Sequence, residues 1–354
     1  MRRIILKDVA KIAGLSVSCT ARALKGVGGI PMSTCERVRK IAKRLGYRPD
    51  PNLSALSAYR QSRKPASYHG TLAFLGTRGD EKPFLAARET GDLLRGARAR
   101  AESLGYQVEY FNIGKTGEEH RKTGRILRAR GIRGLLLRSF PLTLEDIHLP
   151  FNWFICINLF SQPYVQTLSA VSSYHAQSME LALQKLLTQG YRHPGLVLDK
   201  GISQVIHHGW WMAFNVYAHK FEQTSVYLVE DDPTNLNSDE KWSSKKAVKA
   251  LDRWAQERRV DVLIYAGISE PRIPASHRIP PKASRDPLVI CMDLLDPDSG
   301  MSGIYQDRFR AGYVAADWLH SMLITPQVEI ARNPNALMIP GTWTNGVNRK
   351  VGNH

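Results

Sequence analysis

The chain is 354 residues long, 43% apolar, and carries a formal net charge of +17. That length supports two or three domains, no stretch approaches the 18 apolar residues of a membrane span, and the four cysteines (Cys19, Cys35, Cys156, Cys291) are too scattered for a C-x-x-C pair or a disulfide framework. Only three apolar residues separate Met1-Arg2-Arg3 from Lys7-Asp8, so no signal peptide is expected, the expected compartment is the cytoplasm, and the thiols are read as reduced packing residues.

Leu6, Val9, Ala10 and Ala13 fall at i, i+3, i+4 and i+7, one stripe of a first helix. Gly14 permits the tight turn that follows, because glycine takes positive φ without steric cost. Ser16 is a good N-cap for a second helix running to about Leu24. Small residues at Ala10 and Ala13 let the two helices approach closely. The pattern is a helix-turn-helix, whose second helix enters the DNA major groove. A third stripe, Val38, Ile41, Ala42 and Leu45, is closed by Gly46. Residues 1–65 hold fifteen Lys or Arg against Asp8, Glu36 and Asp50, so +12 of the chain's +17 lies in this short piece. Charge concentrated in that way suits a polyanion binder; a solvated basic face on a helical bundle is the plainer alternative.

Next, Asp50 and Pro51 give a start signal for a short helix over about 51–60. Two turns are marginal in water, and fixing about 8 residues costs on the order of 8–16 kcal/mol of backbone entropy. The segment is therefore expected to order on DNA. Leu53 and Leu56 share one face, suited either to a minor-groove wedge or to packing on the third helix.

From about Thr71 short apolar runs alternate with amphipathic helices. Strands are expected at 71–76, 107–111, 134–137, 154–157, 195–198, 225–229, 261–265 and 288–292. Helices are expected at about 86–104, 117–130, from Ser173 to Leu187, 205–219, 243–258 and 308–323. Repeated β–α–β order means parallel sheets with helices on both faces. Two such units would place a ligand cleft outside the strand carboxyl ends. No Gly-x-Ser-x-Gly, P-loop or Rossmann glycine fingerprint is present, so no enzyme and no cofactor are expected. His207-His208 has the wrong spacing for two ligands on one helical face, and Asp296-Pro297-Asp298-Ser299-Gly300 lacks the oxygen set of a calcium loop, so no metal is expected either.

The N-terminal motifs Leu6-Lys7-Asp8-Val9-Ala10, Ala13-Gly14-Leu15-Ser16-Val17-Ser18, Arg22-Ala23-Leu24, Arg37-Val38, Leu45-Gly46-Tyr47-Arg48-Pro49 and Leu56 resemble the lactose-repressor/galactose-repressor class of bacterial regulators. The resemblance implies that Val17, Ser18 and Arg22 read bases and that Leu56 pries open the central step of a palindromic operator. The candidate DNA contacts are Leu6, Ser16, Val17, Ser18, Arg22, Lys25, Tyr47, Leu53 and Leu56. Three departures stand out: Ile5 replaces a capping Thr, Cys19 and Ala21 replace small hydroxyl residues, and Pro31-Met32-Ser33-Thr34 precedes the third helix, leaving Ser33 or Thr34 as its cap.

The likeness continues more loosely through Lys82-Pro83-Phe84, Gly190-Tyr191-Arg192-His193-Pro194-Gly195, Cys291-Met292-Asp293 and Ile304-Tyr305-Gln306-Asp307. It implies an N-terminal all-α helix-turn-helix domain (1–48), a hinge helix and linker (49–68), and an α/β periplasmic-binding-protein-like core of two doubly wound parallel-sheet subdomains (69–354). The first subdomain would take about 69–168 and 306–332, the second about 169–305 and 333–354. Candidate effector contacts are Arg78, Phe84, Ser139, Trp210 and Asp293. Two of the family's polar ligand contacts are missing: Ile206 stands where an Arg usually precedes the Gly-aromatic pair Gly209-Trp210, and Ala266-Gly267-Ile268 replaces Ala-Asn-Asp. Trp210 and Trp211 could stack on a sugar ring, or at least one is core. The expected protein is a homodimeric repressor with double-stranded DNA and a small-molecule effector, a carbohydrate, as partners, and with no membrane partner. A sugar-binding protein without a regulatory role, an enzyme with an appended DNA-binding domain, and a regulator whose core no longer binds an effector stay open.

Overall fold

The computed structural model describes residues 4–25, 30–47, 70–77, 81–138, 146–159, 168–206, 208–229, 244–278, 287–324 and 334–346. At the N-terminus lie α1 (Leu6–Ala13), α2 (Val17–Lys25) and α3 (Met32–Leu45). The Asp8 carboxylate accepts the Ile5 N–H at 2.9 Å, which supplies one half of a capping box although Ile5 has no side-chain acceptor of its own. Gly14 ends α1 at φ 67° with its amide on the Ala10 carbonyl, and Gly46 ends α3 at the same φ. The Ser16 hydroxyl caps α2 by accepting the Cys19 N–H at 3.1 Å. The expectation for α3 needs correcting. The helix starts at Met32 with Pro31 at the N-cap and no side-chain cap, so Ser33 and Thr34 already lie within its first turn. The Pro31 carbonyl accepts the Thr34 and Cys35 amides instead. Val9, Ala13, Ala23, Cys35, Val38 and Ala42 form the shared core of the three helices.

The rest of the described chain is α/β. In order come β1 (Gly70–Gly76), α4 (Glu81–Ala86), α5 (Arg88–Ser103), β2 (Tyr106–Asn112), α6 (Gly117–Ala129), β3 (Gly134–Arg138), β4 (Ile155–Leu159), β5 (Ser169–Ser173) and α7 (His175–Thr188). There follow β6 (Pro194–Asp199), α8 (Lys200–Val205), α9 (Gly209–Tyr217), β7 (Ser225–Val229), α10 (Lys245–Glu257), β8 (Val262–Ala266), β9 (Leu288–Leu294), β10 (Ser302–Tyr305), α11 (Arg308–Ile324), β11 (Ala336–Ile339) and β12 (Thr342–Thr344).

Two six-stranded sheets result, ordered β11-β5-β4-β3-β1-β2 and β12-β10-β9-β8-β6-β7. Read inward from the β2 and β7 edges, both start second strand, first strand, third strand. This is the doubly wound order, with its switch point between β1 and β3 in one sheet and between β6 and β8 in the other. β1 runs parallel to β2 (Leu72 opposite Val108) and to β3 (Phe74 opposite Leu136). β6 runs parallel to β7 and β8, and β8 to β9, while β12 pairs antiparallel to β10. Strands β5 and β11 enter the first sheet, although residues 169–173 and 336–339 fall in the ranges expected for the second subdomain.

By density of contacts the chain divides into Met1–Phe84, Leu94–Ile157 and Gly312–Pro334 in one unit, and Leu85–Leu93, Asn158–Ala311 and Asn335–His354 in the other. Inside the second unit the pleat sorts the side chains. Leu196, Leu198, Val262, Ile264, Ala266, Ile290 and Met292 face Met179, Leu183, Leu186, Trp210 and Phe214 of α7 and α9. Val197, Leu263, Tyr265 and Cys291 point the opposite way, toward Leu251 and Ala255 of α10. Both faces are thus buried, which is why these strands read as unbroken apolar runs. Two short helices precede expected ones. The helix expected at 86–104 is α5, with α4 ahead of it, and the helix expected at 205–219 is α9, which starts only at Gly209 after His208 at φ 58°, with α8 ahead of it.

Candidate nucleic-acid interface and core sites

In α2, Thr20 and Ala23 are buried against the three-helix core, and the Thr20 hydroxyl donates to the Ser16 carbonyl at 2.9 Å. Burying that side leaves Ser16, Val17, Ser18 and Arg22 together on the solvent side of the helix start. The set is chemically mixed. An Arg fork can bind a guanine edge in two places, a Ser hydroxyl can donate or accept, and Val can meet a thymine methyl. Val17 is 44% exposed, so its methyl groups are accessible to a partner. Leu6 and Tyr47 are partly buried, with Tyr47 packed against the helical core. Lys25 ends α2; its side chain, together with Leu53 and Leu56, lies outside the described residues.

The expected effector contacts fall in different environments. Arg78 and Ser139 lie outside the described residues. Phe84 is 6% exposed, and its ring meets Phe74 at 5.5 Å and Tyr110 at 4.9 Å, so its faces are occupied by other aromatic rings. Trp210 takes the core alternative, buried edge-on to His175 at 4.7 Å, whereas Trp211 is 42% exposed beside His208. Asp293, at the carboxyl end of β9, is held by Arg308, whose Nη2 donates to both carboxylate oxygens at 2.7 and 2.9 Å.

Sequence reasoning missed Arg308 and His175, both in the second unit. Burial works against the charge on Arg308, but Asp293 and Glu89 outweigh it and raise its pKa. His175, partly buried, is pushed down to about 3, first by desolvation and then by the Arg308 charge, so it is neutral at physiological pH. Gln306 anchors the same strand ends, its amide donating to the Met292 carbonyl at 3.0 Å. Trp210, His175, Arg308 and Asp293 therefore form a linked series. The available signal was Arg308 at the start of a helix only three residues past a short strand. Arg138 was missed as well. It closes the all-buried strand Gly134–Arg138 at the first sheet's switch point and is itself buried. Among the described residues no group of three His, Cys, Asp or Glu could hold a metal ion, and no helix is long and apolar enough to cross a membrane.

Comparison with known proteins follows this division. Residues 5–50 match the family described as bacterial regulatory proteins, lacI family. The sucrose operon repressor of Escherichia coli is 28% identical over 193 residues, which are 53% of this chain and 54% of that one. The maltose regulon regulatory protein MalI of Escherichia coli (strain K12) is 24% identical over 193 residues, 54% of this chain and 52% of that one. The chain thus spans about half the length of the curated relatives it matches. A solved lac repressor dimer, bound to operator and the anti-inducer ONPF, shares the fold with a TM-score of 0.54 at 16% identity, covering 98% of both chains. The transcriptional regulator CelR in complex with cellobiose gives 0.54 at 18% identity, over 97% of this chain and 99% of that one.

Proposed function

We propose, from the premise that the N-terminal module belongs to the lacI family of bacterial regulatory proteins, that this chain is a sequence-specific transcriptional regulator, a repressor acting as a homodimer. Two helix-turn-helix modules, about residues 1–48 of each copy, sit on the half-sites of a near-palindrome. Residues 49–68 of the two copies meet at its centre, and the remainder, 69–354, carries dimerisation and effector binding. The observation that carries this reading is the exposed group Ser16, Val17, Ser18 and Arg22, presented at a capped helix start by a three-helix core. No catalytic step forms part of it. Carbohydrate relatives such as the sucrose operon repressor and the CelR–cellobiose complex support a sugar as the effector. An effector coupled to DNA binding by about 1–3 kcal/mol would change operator affinity 5- to 150-fold.

One observation favours a second reading of the core. Asp293, the one family-type polar contact retained, is already neutralised by Arg308, and Ile206 is buried where an Arg is usual. A core so arranged has fewer free polar groups for a neutral sugar, which favours a regulator that no longer answers to one. Calorimetry over a panel of mono- and disaccharides separates the two, since micromolar binding that also alters DNA affinity sinks the second. The primary reading is tested by selecting bound sequences from random duplex DNA at about 150 mM salt. A site with two equivalent half-sites is expected. Recovery of unrelated sequences would refute it.

A further inference from the structure

The cations of the DNA-binding module are not mainly on its recognition helix. α2 brings Arg22 and Lys25, whereas α3 exposes Arg37, Arg39, Lys40, Lys43 and Arg44 against a single acid, Glu36. The opposite side of α3 is spent on the core through Cys35, Val38 and Ala42, with Ile41 and Leu45 beside them. None of the five cations makes an ion pair or a side-chain hydrogen bond with another described residue. Arg37 with Lys40, Arg39 with Lys43, and Lys40 with both Lys43 and Arg44 are like charges three or four residues apart, a spacing that destabilises a helix. Favourable placement at a helix C-terminus explains Lys43 and Arg44, which lie in the last turn. It does not explain Arg37, Arg39 and Lys40 in the middle, where Glu36 has the spacing to offset only part of the repulsion on Arg39 and Lys40 and none on Arg37.

We infer that this face of α3 is a second DNA-contacting surface, a row of cations that follows the phosphate backbone and supplies sequence-independent affinity. The inference rests on the reading above that the module sits on duplex DNA. A polyanion relieves the like-charge repulsion along the whole row at once, and counterion release gives each contact its own favourable contribution. The division of labour follows: α2 carries the residue types that read bases, and α3 the charge that holds the module in place.

The test uses the full chain and two triple variants of equal charge change. R37Q/R39Q/K40Q alters α3. R121Q/K122Q/R125Q alters an exposed cationic face of α6 and serves as the control. Binding to the selected site and to a random duplex is titrated between about 50 and 200 mM salt. The α3 variant should lower the slope of log affinity against log salt by about 2–3, equally on both duplexes, and the control should leave it unchanged. The single variant K40Q, whose effect on the fold is smaller still, should lower the slope by about 1. Circular dichroism confirms that each variant keeps its helices. An unchanged slope in the α3 variants, or an equal fall in the control, overturns the inference while leaving the proposed function standing. Absence of any salt-dependent duplex binding by the unaltered chain defeats the proposed function itself.

Discussion

The N-terminal module and the second α/β unit keep their polar chemistry in opposite places. In the module, Ser16, Val17, Ser18, Arg22 and the α3 cations face solvent, and the interior is small and apolar. In the second unit, Arg308 is 6% exposed and its partner Asp293 lies beside it, while Trp210 and His175 pack together. A surface that meets a large charged partner can be specified by residues within one helix turn. A buried polar group has to be matched by residues far along the chain, here 293 with 308 and 175 with 210. Changes in the module should therefore move binding and leave the fold intact, whereas changes in the buried series should move the fold.

The sharpest test of that contrast is Arg308→Met. It removes the Arg308 charge from the Asp293 carboxylate in a site of little solvent access, and should cost about 3–5 kcal/mol in urea unfolding. The double variant R308M/D293N should recover much of the loss. If the single variant is neutral, the pair is solvated and the contrast fails. Arg22→Ala should cost about 1–3 kcal/mol of operator affinity with an unchanged melting temperature; a lower melting temperature would make Arg22 part of the module's packing.

His175 provides a pH test. Its folded pKa lies below the unfolded value, so the unfolded state binds the extra proton. The stability it contributes is complete above about pH 6.5 and is lost as pH falls toward 3. Between pH 6.5 and 5 the loss should be about 1 kcal/mol, reduced from the ideal by the partial exposure of the ring. His175→Gln should flatten that part of the stability profile, and an unaltered acid limb would show that other groups dominate it. The smallest expected effect is Asp8→Ala, which removes the acceptor of the Ile5 amide and should cost about 1 kcal/mol in the stability of the helical module.

Legibility in the sequence followed the range of the interactions. The stripe Leu6, Val9, Ala10 and Ala13, the Gly14 turn and the Ser16 cap are all satisfied within a few residues, and each is present in the structure. Strands β6, β8 and β9 were legible because burial on both faces makes them apolar throughout. Strand β5, Ser169-Ala170-Val171-Ser172-Ser173, was not legible. It is fully buried, but three of its five residues are serines, and its strand state comes from pairing in the sheet. The short β11 and β12 depend on distant partners in the same way. The late start of α9 at Gly209 went unread, although a glycine there weakens a continuous helix and was the available signal. The Arg308–Asp293 pair went unread for a related reason, because the two residues meet only once β9 and β10 lie side by side.

The most direct measurement of the central claim is sequence selection from random duplex DNA carried out in parallel with the unaltered chain and with Arg22→Ala. The account predicts the same symmetric site from both, with one base position in each half-site relaxed in the variant. Identical sites from both proteins would remove Arg22 from the base-reading surface, and the absence of any shared site from the unaltered chain would contradict the account as a whole.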